Sequence, residues 1–132
     1  MDTILLVEDS KFLRIATERA LTKAGYRVVT AGDGEEALVK ANAYIPDLVI
    51  LDMLLPKLSG PEVLQALKKN DATAGIPVLV LSSLSQKNEE KLLQDGASAF
   101  LEKGPLLDNP SLLLNAIKSA LRKKASASAR QP

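Results

Sequence analysis

Residues 48–52 read LVILD, four apolar residues followed directly by an aspartate, and this stretch decides the fold. A short apolar run without polar alternation is typical of a strand that is buried on both faces of a sheet. Similar runs recur at Ile4–Val7, Arg27–Thr30, Val78–Leu81 and Ala99–Leu101. The last of these is the weakest strand candidate. Together with Leu48–Leu51 they predict five strands.

Segments with helical periodicity separate the predicted strands. In the first segment five small or apolar residues share one helix face: Leu13, Ala16, Ala20, Leu21 and Ala24. Gly25 follows them and is placed to end that helix. Four more helices are predicted, at Glu35–Asn42, Gly60–Lys69, Gln86–Gln94 and Ser111–Lys124. A strand followed by a helix, repeated five times, predicts an α/β fold with a doubly wound five-stranded parallel sheet, whose functional edge lies at the carboxyl ends of the strands.

Composition favours a single globular domain. The chain has 132 residues, of which 46% are hydrophobic and 25% charged, and we expect the domain to span residues 1–122. Residues 123–132 (KKASASARQP) are small and polar and predict a flexible tail or the start of a linker. A net charge of +1 argues against direct nucleic-acid or membrane binding, and the start of the chain has no signal-peptide pattern, so we expect a cytoplasmic protein.

The absence of cysteine and histidine limits the chemistry to carboxylates, hydroxyls and lysines. Glu8 and Asp9 follow the first predicted strand and Asp52 ends the third, so three carboxylates are expected at one sheet edge. Such a cluster needs a cation, and oxygen ligands suit Mg²⁺. Ser82 and Lys103 follow the fourth and fifth strands. This set predicts phosphoryl transfer to an aspartate nucleophile, with metal and lysine neutralising the phosphoryl oxygens.

These motifs resemble the receiver domains of bacterial two-component systems, and the resemblance covers nearly the whole chain. It is carried by Val7-Glu8-Asp9-Ser10, by Leu51-Asp52-Met53 with Pro56 and Gly60, by Leu81-Ser82-Ser83, and by Gly96-Ala97 ahead of Phe100 and Lys103. The resemblance implies the flavodoxin-like receiver fold with strand order 2-1-3-4-5.

The resemblance also implies a role for each site residue. Asp52 would be the phosphoacceptor. The metal would be held by Glu8, Asp9, Asp52 and the backbone carbonyl of Leu54. Ser82 and Lys103 would stabilise the phosphoryl group, and Ser82 and Phe100 would form the switch.

As a receiver, the protein would be a switch that catalyses only its own phosphorylation and dephosphorylation. The implied phosphodonor is a histidine kinase or a phosphotransfer protein. A downstream protein target would read the fourth predicted helix, the fifth strand and the fifth helix, and a dimer that forms on phosphorylation is compatible with this scheme.

Two features depart from the family. The sequence Lys103-Gly104-Pro105 separates the lysine from the proline that usually follows it directly, so the cis peptide bond expected there could move or be lost. Leu54 and Leu84 stand two residues after the phosphoacceptor and the hydroxyl, and they make the route of a hydrolytic water apolar. We therefore expect slow self-dephosphorylation, or dephosphorylation that depends on a partner.

Simpler interpretations exist for each site residue. Taken singly, Glu8 and Asp9 could be a turn or helix cap and Asp52 an ordinary turn aspartate. Ser82 could be a solvated loop serine, Lys103 a surface lysine, and Phe100 a core residue. Among other functions, a flavin-binding protein would need a loop rich in backbone donors where the acid pair stands. A phosphatase using an aspartyl-phosphate would need a carboxylate where Leu54 stands. A receiver-like binding module that has lost phosphorylation is the remaining alternative.

Overall fold

The computed structural model describes residues 1–53, 55–82, 93–103 and 109–130, and within 124–130 it describes the backbone alone. Five strands form one sheet: β1 (Thr3–Val7), β2 (Arg27–Ala31), β3 (Leu48–Asp52), β4 (Val78–Ser82) and β5 (Ala99–Glu102). All neighbouring strands are parallel, and their order is β2-β1-β3-β4-β5. The predicted α/β fold and its 2-1-3-4-5 strand order are therefore confirmed.

Every residue of β3 and of β4 is buried, as their apolar sequences predict. Because successive side chains of a strand point to opposite faces, the strands supply two separate cores. Leu5, Val49 and Val80 belong to one, and Ile4, Ile50 and Leu79 belong to the other. The sheet is thus the middle of three layers.

The helices are α1 (Lys11–Lys23), α2 (Gly34–Tyr44), α3 (Gly60–Lys69) and a last helix that we call the C-terminal helix (Pro110–Arg130). The first three begin at side-chain caps, since Ser10, Asp33 and Ser59 each accept a hydrogen bond from a backbone N–H of the first turn. α1 ends at Lys23, with Ala24 as its C-cap, and Gly25 follows with a φ of 100° that glycine adopts easily. Of the predicted helix Gln86–Gln94, only the last two residues are described, and they are helical.

The C-terminal helix extends further than the sequence predicts. We expected it to end at Lys124 and a tail to begin at Lys123, whereas the helix continues to Arg130. Residues 125–129 alternate alanine and serine, and alanine has the highest helix propensity, so nothing local stops the helix there. That residues 123–132 are flexible stays a prediction. Within the described residues, no helix has the length and apolar character that a membrane crossing requires.

The carboxyl end of β3 packs directly against the start of α3. A Cβ atom on Gly60 would lie 2.5 Å from the Cα of Met53 and 2.6 Å from the carbonyl oxygen of Asp52. Glycine is therefore required for this approach. The contact fixes the position of Asp52 at the sheet edge.

Candidate functional site

Three carboxylates meet at the carboxyl edge of the sheet, as the sequence predicts. Glu8 and Asp52 are 5% and 3% exposed, whereas Asp9 is exposed. Each residue offers one oxygen atom that lies within 4.8 Å of the other two. Their oxygen donors, with one side open to water, fit a hard divalent cation.

Lys103 joins the two buried carboxylates. Its Nζ donates hydrogen bonds to Oε1 of Glu8 and Oδ2 of Asp52, at 2.7 Å in both cases. These bonds connect residues that are 95 and 51 positions apart in sequence and lie at the carboxyl ends of three different strands. A charged hydrogen bond of this length at a mostly buried position neutralises part of the carboxylate cluster.

The electrostatics of the cluster favour a cation. Burial raises the pKa of Glu8 to about 7; the hydrogen bond from Lys103 opposes this rise, and the proximity of Asp52 adds to it. For Lys103, burial alone would lower the pKa, but the hydrogen bonds to Asp52 and Glu8 outweigh burial and raise it. The ammonium therefore stays charged between two buried acids, and the third acid, Asp9, lies close to both of them.

Ser82 and Phe100 occupy different environments. Ser82 ends β4 and is buried at the same sheet edge, in the register position opposite Glu102 of β5. Phe100 is partly buried and packs against the core on the α2 and α3 side of the sheet. Phe100 thus contributes to packing, and its role as a switch stays a prediction.

Arg14 is a residue near the site that the sequence analysis missed. Its Nη1 donates a hydrogen bond of 2.8 Å to the backbone carbonyl of Glu8. The same atom would lie 3.2 Å from a Cβ on Gly32, so glycine leaves room for the guanidinium. The sequence signal that could have identified Arg14 is its position in the first turn of α1, six residues after Glu8. Arg14 holds the backbone that presents the acid pair.

The loop after Asp52 is tied to the start of α2, which the sequence did not predict. Lys57 Nζ lies 3.5 Å from Oδ2 of Asp33, and the N–H of Gly34 donates to the carbonyl of Pro56 at 3.4 Å. Lys57 has a φ of 69°, which is unusual for a residue with a side chain. These contacts hold the loop next to the carboxylates. Leu54, Leu84, Gly104 and Pro105, on which other predictions depend, lie outside the described residues.

Comparison with known proteins agrees with this geometry. The family model of the response regulator receiver domain matches residues 4–125. The gliding motility regulatory protein of Myxococcus xanthus is 48% identical over 105 residues, which are 78% of this chain and 13% of that protein. The alkaline phosphatase synthesis transcriptional regulatory protein PhoP of Bacillus subtilis is 39% identical over 101 residues, which are 76% of this chain and 41% of that protein.

A solved structure shows the same fold. The chemotaxis response regulator CheY4 of Vibrio cholerae superposes with a TM-score of 0.83 at 32% identity, covering 91% of this chain and 98% of that one. The chain therefore belongs to the response regulator receiver domain family of two-component systems. It spans less than half the length of the two curated relatives. In this family the acidic cluster is where a divalent metal binds, and receivers interact with histidine kinases or phosphotransfer proteins and with downstream targets.

Proposed function

We propose that this receiver accepts a phosphoryl group on Asp52 from a phosphohistidine of a histidine kinase or phosphotransfer protein, in a reaction that requires Mg²⁺. The supporting observation is the position of Lys103, whose ammonium lies 2.7 Å from both Glu8 and Asp52 with the carboxylate of Asp9 close by. A buried acid at a strand end, facing two other acids and a lysine, has no evident structural purpose. It has the charges that phosphoryl transfer needs.

In the proposed transfer, a carboxylate oxygen of Asp52 attacks phosphorus. An oxygen–phosphorus bond forms, the nitrogen–phosphorus bond of the donor breaks, and the imidazole leaves with the electron pair and takes a proton from water. Lys103 keeps an ion pair with the transferred group, and the Ser82 hydroxyl donates a hydrogen bond to one of its oxygens. The contacts of Lys103 with Glu8 and Asp52 at the sheet edge support this scheme.

Glu8, Asp9 and Asp52, with the backbone carbonyl of Leu54, are the groups that would hold the metal. When bound, Mg²⁺ would neutralise charge on the carboxylates and on the phosphoryl oxygens. Glu8 would act mainly by holding water on the metal, as the resemblance to the receiver family implies.

The useful product is a changed surface, so the domain is a switch rather than an enzyme in the usual sense. Phosphorylation adds about two negative charges. Ser82 and Phe100 would respond to them and alter the face formed by residues 86–94, β5 and the C-terminal helix, which a downstream target or a second copy would read. Leu54 and Leu84 would make phosphate loss slow; rapid loss from the isolated domain would contradict that part.

Intact-mass measurement after incubation with acetyl phosphate tests the proposal. The wild type should gain one phosphoryl group with Mg²⁺ and none with a chelator, and Asp52→Asn should gain none. Asp71→Asn is a matched control, because Asp71 is exposed in the segment between α3 and β4. If the wild type gains nothing with metal, the proposal fails in favour of a binding module that works without phosphorylation.

A further inference from the structure

The peptide group between Glu8 and Asp9 joins two of the three acids that meet at the sheet edge. The N–H of Glu8 donates a hydrogen bond of 3.0 Å to the carbonyl oxygen of Ala31, which holds the end of β1 against the end of β2. The Glu8 carboxylate accepts from Lys103 Nζ at 2.7 Å and from the N–H of Ser10 at 3.3 Å. Asp9 is exposed, so the position of its carboxylate depends on the backbone that carries it.

Arg14 fixes the plane of this peptide group. Its Nη1 donates a hydrogen bond of 2.8 Å to the carbonyl oxygen of Glu8. A peptide group is planar, so a carbonyl that is held in one direction also sets the direction in which the next residue leaves it. That next residue is Asp9. Arg14 therefore orients the backbone of an acid without bonding to its carboxylate.

Gly32 leaves the space that the guanidinium occupies. A Cβ atom on Gly32 would lie 3.2 Å from Nη1 and 3.8 Å from Cζ of Arg14. Gly32 does not have a positive φ, so the conformation of its backbone does not require glycine. What glycine provides at this position is room for Arg14.

The turn that contains Gly32 is anchored to α2. The pKa of Glu36 is lowered by the hydrogen bond from Lys40 and, to a smaller extent, by one from the backbone N–H of Gly32. The Lys40 ammonium lies 2.9 Å from Oε1 of Glu36 and also donates to the carbonyl oxygen of Thr30 in β2. The guanidinium of Arg14 therefore lies between this anchored turn and the carbonyl to which it donates.

We infer that Arg14 is a positioning residue of the metal site and that Gly32 determines where its guanidinium lies. This role rests on the proposed Mg²⁺ site at Glu8, Asp9 and Asp52, and it adds a residue that binds neither the metal nor the phosphoryl group. Arg14 connects the end of β2 to the backbone of the acid pair. It holds Asp9 where one of its oxygens lies within 4.8 Å of both buried carboxylates.

The sign of the expected effect separates position from charge. A guanidinium near a metal site repels Mg²⁺, so removal of its charge alone would strengthen binding. Loss of the orientation of Asp9 would weaken binding instead, because groups that orient metal ligands contribute about tenfold or more to metal affinity. We therefore expect weaker Mg²⁺ binding in a variant that has lost a positive charge.

Isothermal titration calorimetry with MgCl₂ measures this effect. Arg14→Met keeps the apolar stem of the side chain and should raise the dissociation constant for Mg²⁺ about tenfold. Arg14→Lys restores a donor and should recover part of the loss. Arg19→Met is the matched control, because Arg19 is exposed further along α1, and it should bind Mg²⁺ like the wild type. Binding by Arg14→Met that is as tight as that of the wild type, or tighter, would overturn the inference.

Gly32→Ala tests the role of Gly32 without removing the guanidinium. The added Cβ should displace the guanidinium and weaken Mg²⁺ binding, although less than Arg14→Met does. In an Arg14→Ala background the space beside residue 32 is empty, so Gly32→Ala should have no further effect on the dissociation constant. Fully additive effects of the two substitutions would show that Gly32 does not act through Arg14.

Stability measurements separate positioning from a purely structural role. Urea denaturation with a chelator gives the free energy of unfolding without metal, and the gain on adding Mg²⁺ reports the affinity for the metal. A structural residue would lower stability equally in both conditions, whereas Arg14→Met should gain less from Mg²⁺ than the wild type does. If Arg14→Met does not fold, Arg14→Lys and Gly32→Ala carry the test, and unchanged Mg²⁺ affinity in both would reject the role of Arg14.

Phosphorylation by acetyl phosphate gives an independent readout. In Arg14→Met the Mg²⁺ concentration that gives half the maximal rate should rise about tenfold, whereas the rate at saturating Mg²⁺ should change much less. A wild type that binds Mg²⁺ but gains no phosphoryl group would reject the proposed phosphotransfer and leave the role of Arg14 in metal binding standing. A phosphorylated wild type, together with unchanged Mg²⁺ affinity in Arg14→Met, would reject the role of Arg14 alone.

Discussion

The two faces of the sheet differ in how closely their helices pack. On one face, a Cβ on Gly34 would lie 2.4 Å from the carbonyl oxygen of Leu58, and α3 buries Val63, Leu64 and Leu67 completely. On the other face, α1 buries only Leu21, and an open pocket separates it from the C-terminal helix. Close packing transmits strain, so the first face holds the loop after Asp52 in place, while the second face is packed less closely around α1.

Truncating one leucine on each face should show the largest difference. Leu64→Ala empties a fully buried position on α3 and should lower the free energy of unfolding by about 3 to 4 kcal/mol. Leu13→Ala removes a half-buried side chain at the open pocket and should cost less than about 1.5 kcal/mol. Urea denaturation measures both values. Equal losses would mean that α1 is packed as firmly as α3.

Enlarging one residue on each face should show the same contrast between the closely packed face and the open pocket. Gly60→Ala forces a Cβ against the backbone of Met53 and Asp52 and should cost about 2 to 3 kcal/mol, because the two nearest atoms belong to the backbone and cannot move aside. Ala20→Leu extends into the open pocket and should change stability by less than about 1 kcal/mol. A neutral Gly60→Ala would show that the end of β3 can shift, contrary to the tight packing described.

Binding of Mg²⁺ at the carboxyl edge of the sheet, which lies between the two faces, should stabilise the folded protein. At a free Mg²⁺ concentration about five times its dissociation constant, the wild type should gain about 1 kcal/mol of stability. Asp52→Asn removes one of the three carboxylates and should gain clearly less at the same concentration. Thermal unfolding with Mg²⁺ or a chelator measures the effect, and an equal gain in both proteins would place the metal elsewhere.

The smallest effect is expected at Lys57, in the loop that the close-packed face holds. Its side chain is largely exposed, so its ion pair with Asp33 contributes little. Lys57→Gly removes the strain of a positive φ, and stability should rise slightly or stay within about 0.5 kcal/mol. Chemical denaturation of Lys57→Gly and Lys57→Ala, measured side by side, separates the contribution of the ion pair from that of the backbone strain. The alanine variant keeps the strain and should be the less stable of the two.

Much of the fold could be predicted from the sequence, because the patterns that indicate strands and helices are local. Unbroken apolar runs predicted all five strands to within one residue at each end, and Gly60–Lys69 was predicted with its observed bounds. The C-terminal helix was predicted too short, since a polar composition was interpreted as the absence of structure, although alanine favours a helix. The helix Gln86–Gln94 is described only at its last two residues.

The sequence predicted that Glu8, Asp9 and Asp52 would meet at one sheet edge, but it did not predict the contacts between the side chains there. Placement after parallel strands was sufficient to group Glu8, Asp9 and Asp52, because parallel strands share one carboxyl edge. That Lys103 joins Glu8 to Asp52, and that Arg14 supports the backbone of Glu8, depends on side-chain conformations and distances. No sequence pattern contains these distances.

The sequence by itself determined the alternation of strands and helices and the strand ends at which the acids, the hydroxyl and the lysine stand. Hydrophobic periodicity, residue type and spacing are properties of the chain, so they can be read before folding. Only the tertiary structure decided how closely each helix approaches the sheet. That distance depends on the volumes of side chains from several elements at once, and for this reason a tight face around Asp52 and an open pocket beside α1 coexist in one domain.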